Sequence, residues 1–155
     1  MSVAEKLVEL LKAQGLTCAT AESCTGGGVG SAITAVPGSS AVFMGGVISY
    51  SNEVKREVLG VAAEALDRFG AVSPEVAAQM AAGARNLLKT DLAVSLTGIA
   101  GPDGGSEEKP VGLVWFGLAT KDGVRTEKSI FRGDRARVRE QAVIHALGML
   151  TIAAT

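Results

Sequence analysis

A buried strand that runs straight into a glycine-rich helix start is the feature that most limits how this chain can fold. Residues 16–21 are a short run of β-branched and small residues, and the small-residue stretch that follows, ESCTGGG at residues 22–28, leads into an Ala, Ile and Val segment. That segment predicts a helix over residues 25–35. An uncharged strand of this kind is typical of a parallel sheet with helices on both faces. We therefore expect an α/β fold.

Helical spacing and turn signals predict the other elements. Apolar residues at helical spacing predict long helices over residues 2–14, 74–88 and 134–153, and Ser73 followed by Pro74 is a strong start for the second. Two short helices are predicted over residues 52–59 and 62–69, and strands over residues 44–48 and 91–96.

An Asp-Gly pair at residues 122–123 predicts an antiparallel hairpin of residues 112–120 and 124–131. Alternating charged and apolar residues in its second strand are typical of a sheet edge. The elements together predict a three-layer α/β/α sandwich around a mixed, mostly parallel sheet with one antiparallel strand.

Composition limits the domain count and the partners. A chain of 155 residues fits one domain, 1–155, and 47% hydrophobic residues with only 4% aromatic ones predict a core of small aliphatic side chains. A net charge of −1 gives no general attraction to nucleic acid or to an anionic membrane. No secretion signal or membrane-spanning run is recognisable, so we expect a cytoplasmic protein. The oligomeric state stays open, a homo-oligomer included.

Metal and cofactor sites are not indicated. Two cysteines without a CxxC motif and a single histidine are too few soft ligands for a zinc site. His145 is interpreted as a packed or surface histidine. We expect no metal and no cofactor.

The loop at residues 22–28 is a candidate anion site. A strand, a small-residue loop and a helix start together present free backbone N–H groups, and three glycines allow close approach of a phosphate. The loop matches neither the Walker pattern nor GxGxxG, so a dinucleotide is not indicated. An equally good interpretation is a glycine-rich helix start packed against the sheet.

Residues 37–55 bring together a hydroxyl, a phenol and an amine. Ser39 and Ser40 lie on a Pro-Gly turn, Tyr50 ends the next strand, and Lys55 falls in the first turn of a helix that begins at Ser51 or Asn52. The helix dipole disfavours a charged lysine there by only ~0.3–1 kcal/mol, whereas one pKa unit requires ~1.4 kcal/mol.

Burial would therefore have to supply most of any shift in the pKa of Lys55. A neutral lysine beside a serine can activate that serine as a nucleophile. The plain alternative is a solvated lysine and two turn serines.

A second candidate segment is the loop at residues 97–112, which contains five glycines and two prolines. It follows a predicted central strand, and ligands in open α/β sheets bind outside the carboxyl ends of the strands. Arg135, Arg137 and Arg139 cluster in the first turns of the last helix, where one of them can reach an anion. A solvated loop and a solvated basic face are the alternatives.

Three blocks are distinctive when taken together: TAESCTGG at residues 20–27, GSSAVFMGGVISYSNEVK at residues 38–55 and TGIAGPDGGSEEKPVG at residues 97–112. They closely resemble the C-terminal domain family of the competence-damage-inducible protein CinA, and the likeness extends over essentially the whole chain. The stand-alone members of that family are nicotinamide mononucleotide amidohydrolases. Some members carry a further N-terminal domain, whose activities are not expected here.

The resemblance implies an α/β/α fold similar to anticodon-binding-like domains and hydrolysis of the nucleotide's carboxamide to nicotinate mononucleotide and ammonia, a step in pyridine nucleotide recycling. By motif it implies Ser40 as catalytic serine, Lys55 as catalytic lysine and Tyr50 as an assisting tyrosine. It also matches Thr97 and Arg135 to positions that line the pocket. The choice of serine stays open, because Ser39 is adjacent and Ser23 lies in a matched block.

Amide hydrolysis requires an activated nucleophile, donors for the oxyanion and a proton for the leaving ammonia. We expect Ser40 to attack while Lys55 takes its proton, directly or through Tyr50. Backbone N–H groups near residues 98–101 or at Ser40 are expected to bind the oxyanion, and the helix start at residues 25–28 or Arg135 to bind the phosphate. The expected substrate-binding residues, most of them in the glycine-rich blocks, are Ser23, Thr25, Gly26, Gly27, Ser39, Thr97, Gly98, Gly101 and Arg135.

Two other functions fit the same sequence. One is a nucleotide-binding or competence- and damage-related interaction module without turnover, and the other is an amidase for a different amide. Ammonia release from nicotinamide mononucleotide separates the enzyme from the binding module, and a substrate panel tests the second alternative.

Overall fold

The computed structural model describes all residues, 1–155, and contains one five-stranded sheet. Its strands are β1 (Cys18–Glu22), β2 (Phe43–Ile48), β3 (Leu92–Gly98), β4 (Leu113–Thr120) and β5 (Gly123–Ile130), in the spatial order β2-β1-β3-β4-β5. β1 pairs in parallel with both β2 and β3, whereas β4 pairs antiparallel with both β3 and β5. Only β4 therefore opposes the common strand direction, which confirms the predicted mixed sheet.

Helices cover both faces of this sheet. They are α1 (Val3–Gln14), α2 (Gly28–Thr34), α3 (Asn52–Glu57), α4 (Ala63–Phe69), α5 (Pro74–Leu88) and α6 (Arg135–Ala154), and a 3₁₀ turn (Ser39–Ala41) precedes β2. Side chains of α1, α2 and α6 pack with β3 and β4 in the larger core. α4 and α5 pack on the other face in a core made largely of alanine. The predicted three-layer sandwich is confirmed.

Local capping explains where the helices begin. The side chains of Ser2, Ser51, Ser73 and Asp134 each accept a hydrogen bond from the backbone N–H three residues later. Ser51, and not Asn52, is thus the N-cap of α3, so Lys55 is the fourth residue of that helix. α2 begins at Gly28, three residues later than predicted.

The carboxyl ends of β1, β2 and β3 share one edge of the sheet because these strands are parallel. The segments that leave them, which begin at Ser23, Ser49 and Ile99, therefore converge there. None of the helices is both long enough and apolar enough to cross a bilayer.

Candidate active site

Ser23 is the first residue after β1, and the backbone holds it at the sheet edge. Its N–H donates to the carbonyl of Leu96 in β3 at 3.1 Å, and its own carbonyl accepts from the N–H of Gly26 at 3.1 Å. The side chain is buried at 7% exposure. The chain therefore turns sharply from strand toward α2 with the Ser23 hydroxyl fixed beneath the surface.

Lys55 points its amine at this hydroxyl. Its Nζ lies 3.0 Å from Ser23 Oγ, 2.8 Å from the carbonyl oxygen of Ser49 and 3.1 Å from that of Tyr50. Only 1% of the Lys55 surface is exposed, and no carboxylate forms an ion pair with it. A buried lysine without an acidic partner is uncommon and is typical of functional sites.

Burial lowers the pKa of Lys55 from its ordinary value, while the neighbouring Cys24 acts in the opposite direction. A neutral amine has two N–H donors and one lone pair. Because the carbonyls of Ser49 and Tyr50 can only accept, they take both donors, and the lone pair then faces the Ser23 hydroxyl. The surroundings of the amine thus suit a general base acting on Ser23.

Glu22 caps the N-terminus of α2 from within the protein. Its buried carboxylate accepts hydrogen bonds from the hydroxyl of Thr25 at 2.6 Å and from the backbone N–H groups of Val29 at 2.8 Å and Gly30 at 3.0 Å. The N–H groups of Val29 and Gly30, in the first turn of α2, are therefore not free for a phosphate, whereas the expected phosphate contact at residues 25–28 stays a prediction. The protein's own anion occupies the position, and the loop that holds Ser23 is tied to it.

Ser23 and Lys55 open into a cavity of about 310 Å³. Thr97 and Gly98 at the end of β3 form one wall, and Thr97 donates its hydroxyl to the carbonyl of Ala71 at 2.9 Å. Arg135 lies at the mouth and donates from Nη1 to the carbonyl of Gly101 at 2.9 Å. The volume is at the lower end of the range for ligand pockets, which suits a small molecule.

The structure brings together many of the residues singled out from the sequence. One pocket is lined by Ser23, Tyr50, Lys55, Thr97, Gly98 and Arg135, and the Arg135 contact places Gly101 beside it. Thr25, Gly26 and Gly27 lie in the loop just beyond Ser23 and are not part of the lining. Arg139 supports this loop by donating to the carbonyls of Cys24 at 3.1 Å and Thr25 at 3.3 Å.

Ser39 and Ser40 are not brought to this pocket. They lie in the 3₁₀ turn before β2, whereas Tyr50 and Lys55 follow its other end. The six-residue strand between them is roughly 20 Å long. The expected contact between Lys55 and Ser40 is not formed, and Ser23 contacts the amine in its place.

Sequence reasoning missed several parts of the site. Ala71 and Val72 line the pocket but belong to no recognisable motif, and Asn52 lines it from within the block at residues 38–55 without having been singled out. Glu22 does carry a signal, because it is the only charged residue between Lys12 and Glu53 and it ends a buried strand. An isolated carboxylate in such a place must be paired inside the protein.

A larger cavity of about 700 Å³ lies at the opposite end of the sheet, beside the β4–β5 hairpin. Its charged residues, among them Asp91, Lys121 and Arg125, are all exposed. It contains no buried ionisable group, so the smaller pocket is the better candidate for catalysis.

Fold and site together define a class of protein: an α/β/α sandwich with a buried serine–lysine pair at the carboxyl edge of its parallel strands. More specifically, the chain belongs to the CinA C-terminal domain family, whose model matches residues 1–153.

Curated relatives differ in length. Nicotinamide-nucleotide amidohydrolase PncC of Escherichia coli K12 is 52% identical over 151 residues, which cover 97% of this chain and 92% of that protein. A putative competence-damage inducible protein of Caldanaerobacter subterraneus is 53% identical over 146 residues, which cover 94% of this chain but 35% of the relative. A second putative competence-damage inducible protein, from Halothermothrix orenii, is 56% identical, and this chain covers 34% of its length. The chain thus spans about a third of these longer relatives.

Solved structures show the same fold. The competence-damaged protein (CinA) superfamily protein of Klebsiella pneumoniae 700603 superposes with a TM-score of 0.94 at 36% identity, covering 98% of this chain and 95% of that one. The competence/damage inducible protein of Agrobacterium tumefaciens gives a TM-score of 0.91 at 43% identity, with 99% and 96% covered. The fold of this chain is therefore that of the CinA superfamily.

Proposed function

We propose that this chain is a nicotinamide-nucleotide amidohydrolase that converts nicotinamide mononucleotide and water to nicotinate mononucleotide and ammonia. The observation that carries the proposal is the 3.0 Å contact between the buried amine of Lys55 and the hydroxyl of Ser23. Identity of 52% to the amidohydrolase PncC over nearly the full length of both chains supports the choice of substrate.

In the proposed reaction Ser23 is the nucleophile. Its oxygen attacks the carboxamide carbon while Lys55 takes its proton, and Lys55 then returns that proton to the nitrogen that leaves as ammonia. Water hydrolyses the resulting ester by the same route, which releases the carboxylate and regenerates the Ser23 hydroxyl. Because Lys55 contacts Ser23 directly, no relay through Tyr50 is needed.

Backbone N–H groups beside Ser23 are the proposed oxyanion donors. Those of Cys24 and Thr25 donate to no carbonyl or carboxylate of the protein. The N–H that follows a nucleophile at a sharp strand-to-helix turn commonly serves this purpose. Donors in this position stabilise the tetrahedral intermediate without any movement of the chain.

Substrate binding is assigned to the rim and walls of the pocket. We assign the phosphate to the guanidinium of Arg135, since Arg135 lies at the mouth and is exposed. Tyr50, which is 64% exposed, offers an aromatic face to the nucleotide, and Thr97 and Gly98 shape one wall of the pocket. A phosphorylated substrate of this kind favours a cytoplasmic location for the protein. We also continue to predict that residues 1–155 form a single domain.

Serine substitutions test this assignment. We expect Ser23→Ala and Lys55→Ala each to lower kcat for ammonia release by about a thousandfold or more, because each removes one half of the nucleophile–base pair. Ser40→Ala is the matched control and should keep wild-type activity, since Ser40 is exposed and lies before β2. Loss of activity in Ser40→Ala with full activity in Ser23→Ala would overturn the mechanism. Binding of the nucleotide by the wild type without ammonia release would overturn the function.

A further inference from the structure

One edge of the molecule is built from a segment without charge. Residues 23–52 contain no Asp, Glu, Lys, Arg or His, although charged residues make up 20% of the whole chain. This segment forms α2, the 3₁₀ turn and the edge strand β2. The charge-free edge, as we call residues 23–52, therefore has a surface unlike the rest of the protein.

β2 is an unprotected edge strand. It pairs only with β1, so the backbone groups on its outer side have no partner within the sheet. Large apolar side chains on it are exposed, with Met44 at 45% and Ile48 at 58%. β5, at the other edge, carries Arg125, Glu127 and Lys128, the kind of charges that prevent strands of other chains from pairing.

We propose that β2 pairs antiparallel with β2 of a second copy of this chain about a two-fold axis, joining the two sheets into one. A two-fold contact places residue i of one copy against residue j of the other and residue j against residue i, so a buried charge on it requires an opposite charge across the contact. The charge-free edge meets this requirement because it has no charge to match. A charged peptide partner would gain no ion pair there.

The area of the edge fits a pair of copies better than a single added strand. A stable interface buries about 800 Å² on each partner, more than one short strand supplies. The charge-free edge continues beyond β2 to the exposed Tyr50 on one side and to the exposed Ser31 and Thr34 of α2 on the other. A second copy can cover all of these at once, whereas an extended peptide covers β2 alone.

Light scattering coupled to gel filtration tests the proposal with the 155-residue chain at tens of micromolar. We expect the wild type at twice the 15.7 kDa chain mass and Ile48→Lys at the single-chain mass, because each lysine would bring a charge into a contact that contains no carboxylate to pair with it. Ile130→Lys is the matched control: Ile130 is 60% exposed on β5, close to the 58% of Ile48, and this variant should stay dimeric. Circular dichroism checks that each variant is folded.

Three results would overturn the inference: a monomeric wild type, a dimeric Ile48→Lys, or a monomeric Ile130→Lys.

Hydrogen exchange locates the contact independently of mutation. Amides of residues 43–48 should become more protected as wild-type concentration rises, while those of residues 123–130 should not change. Protection that appears at β5 or elsewhere instead would show a dimer built on a different surface.

Discussion

At the scale of single residues, the character of Lys55 comes from the atoms around its amine. A charged ammonium could be satisfied by the same three oxygens, but burial away from any carboxylate favours the neutral form. Removing the charge also frees the lone pair for the Ser23 hydroxyl. The same burial that makes this lysine costly for folding lowers the pKa of its amine, so it loses its proton more readily than an exposed lysine does.

The pH dependence of catalysis follows from this shift. Since burial lowers the pKa of Lys55 from 10.5 and the proposed mechanism uses the neutral amine, we expect kcat/KM to rise with pH and to level off with an inflection below 10.5. Lys55→Arg should be inactive at every pH, because arginine stays protonated. Initial rates of ammonia release across the stable pH range provide the measurement. A profile that falls as pH rises through neutrality would show that the protonated amine is the active form.

At the scale of elements, α2 depends on a side chain outside it. The helix has seven residues, begins with glycine and has Gly27 as its N-cap, so nothing within it caps its first N–H groups. Glu22 supplies the missing acceptors and at the same time ends β1. The position and conformation of the Ser23 loop therefore depend on this carboxylate in addition to the Arg139 guanidinium.

Glu22→Gln tests this dependence. The amide keeps one acceptor oxygen but turns a donor toward a backbone N–H, which leaves a buried donor unsatisfied at a cost of about 1–3 kcal/mol. We expect kcat to fall about tenfold to a hundredfold with little change in KM, since Arg135 and Thr97 do not contact Glu22. The matched control is Glu5→Gln, an exposed glutamate in the first turn of α1. Unchanged kcat in Glu22→Gln would show that the carboxylate does not position Ser23.

Elements whose signals are local could be predicted from the sequence. The Asp-Gly hairpin and the Ser73-Pro74 helix start each depend on neighbouring residues, and both are formed as expected. The partner of Lys55 could not be predicted in the same way. Ser40 is nearer to it in sequence, but Ser23, 32 positions away, meets it because β1 and β2 run in parallel and end at the same edge.

At the scale of the whole molecule, the sheet divides the protein into two unlike ends. Parallel strands deliver Ser23, Tyr50 and Thr97 to the carboxyl edge, while the amino edge carries the β4–β5 hairpin and the turn that contains Ser39 and Ser40. Small residues allow helices to pack closely on both faces, so the core is formed with few aromatic side chains. The larger core also includes Cys18, whose thiol on β1 is fully buried.

Cys18 makes the stability of the whole fold sensitive to alkali. Burial raises its pKa from 9.0 to about 12, so between these values the unfolded chain has lost a proton that the folded chain keeps. Stability from this group is complete below pH 9.0 and falls as pH rises toward 12, by about 1.4 kcal/mol per pH unit. Cys18→Ala removes the pH dependence of stability that comes from Cys18. It leaves only a loss of stability, independent of pH, from the smaller side chain.

Urea unfolding of both proteins under reducing conditions, at pH 7.5 and again one unit above the thiol's unfolded pKa, measures the difference. The free-energy advantage of the wild type over Cys18→Ala should shrink by about 1.4 kcal/mol between the two conditions. An advantage that stays constant would mean that water reaches the Cys18 sulfur in the folded state. Because Cys18 packs between α1, α6 and the sheet, such a result would also mean that the larger core opens at alkaline pH without global unfolding.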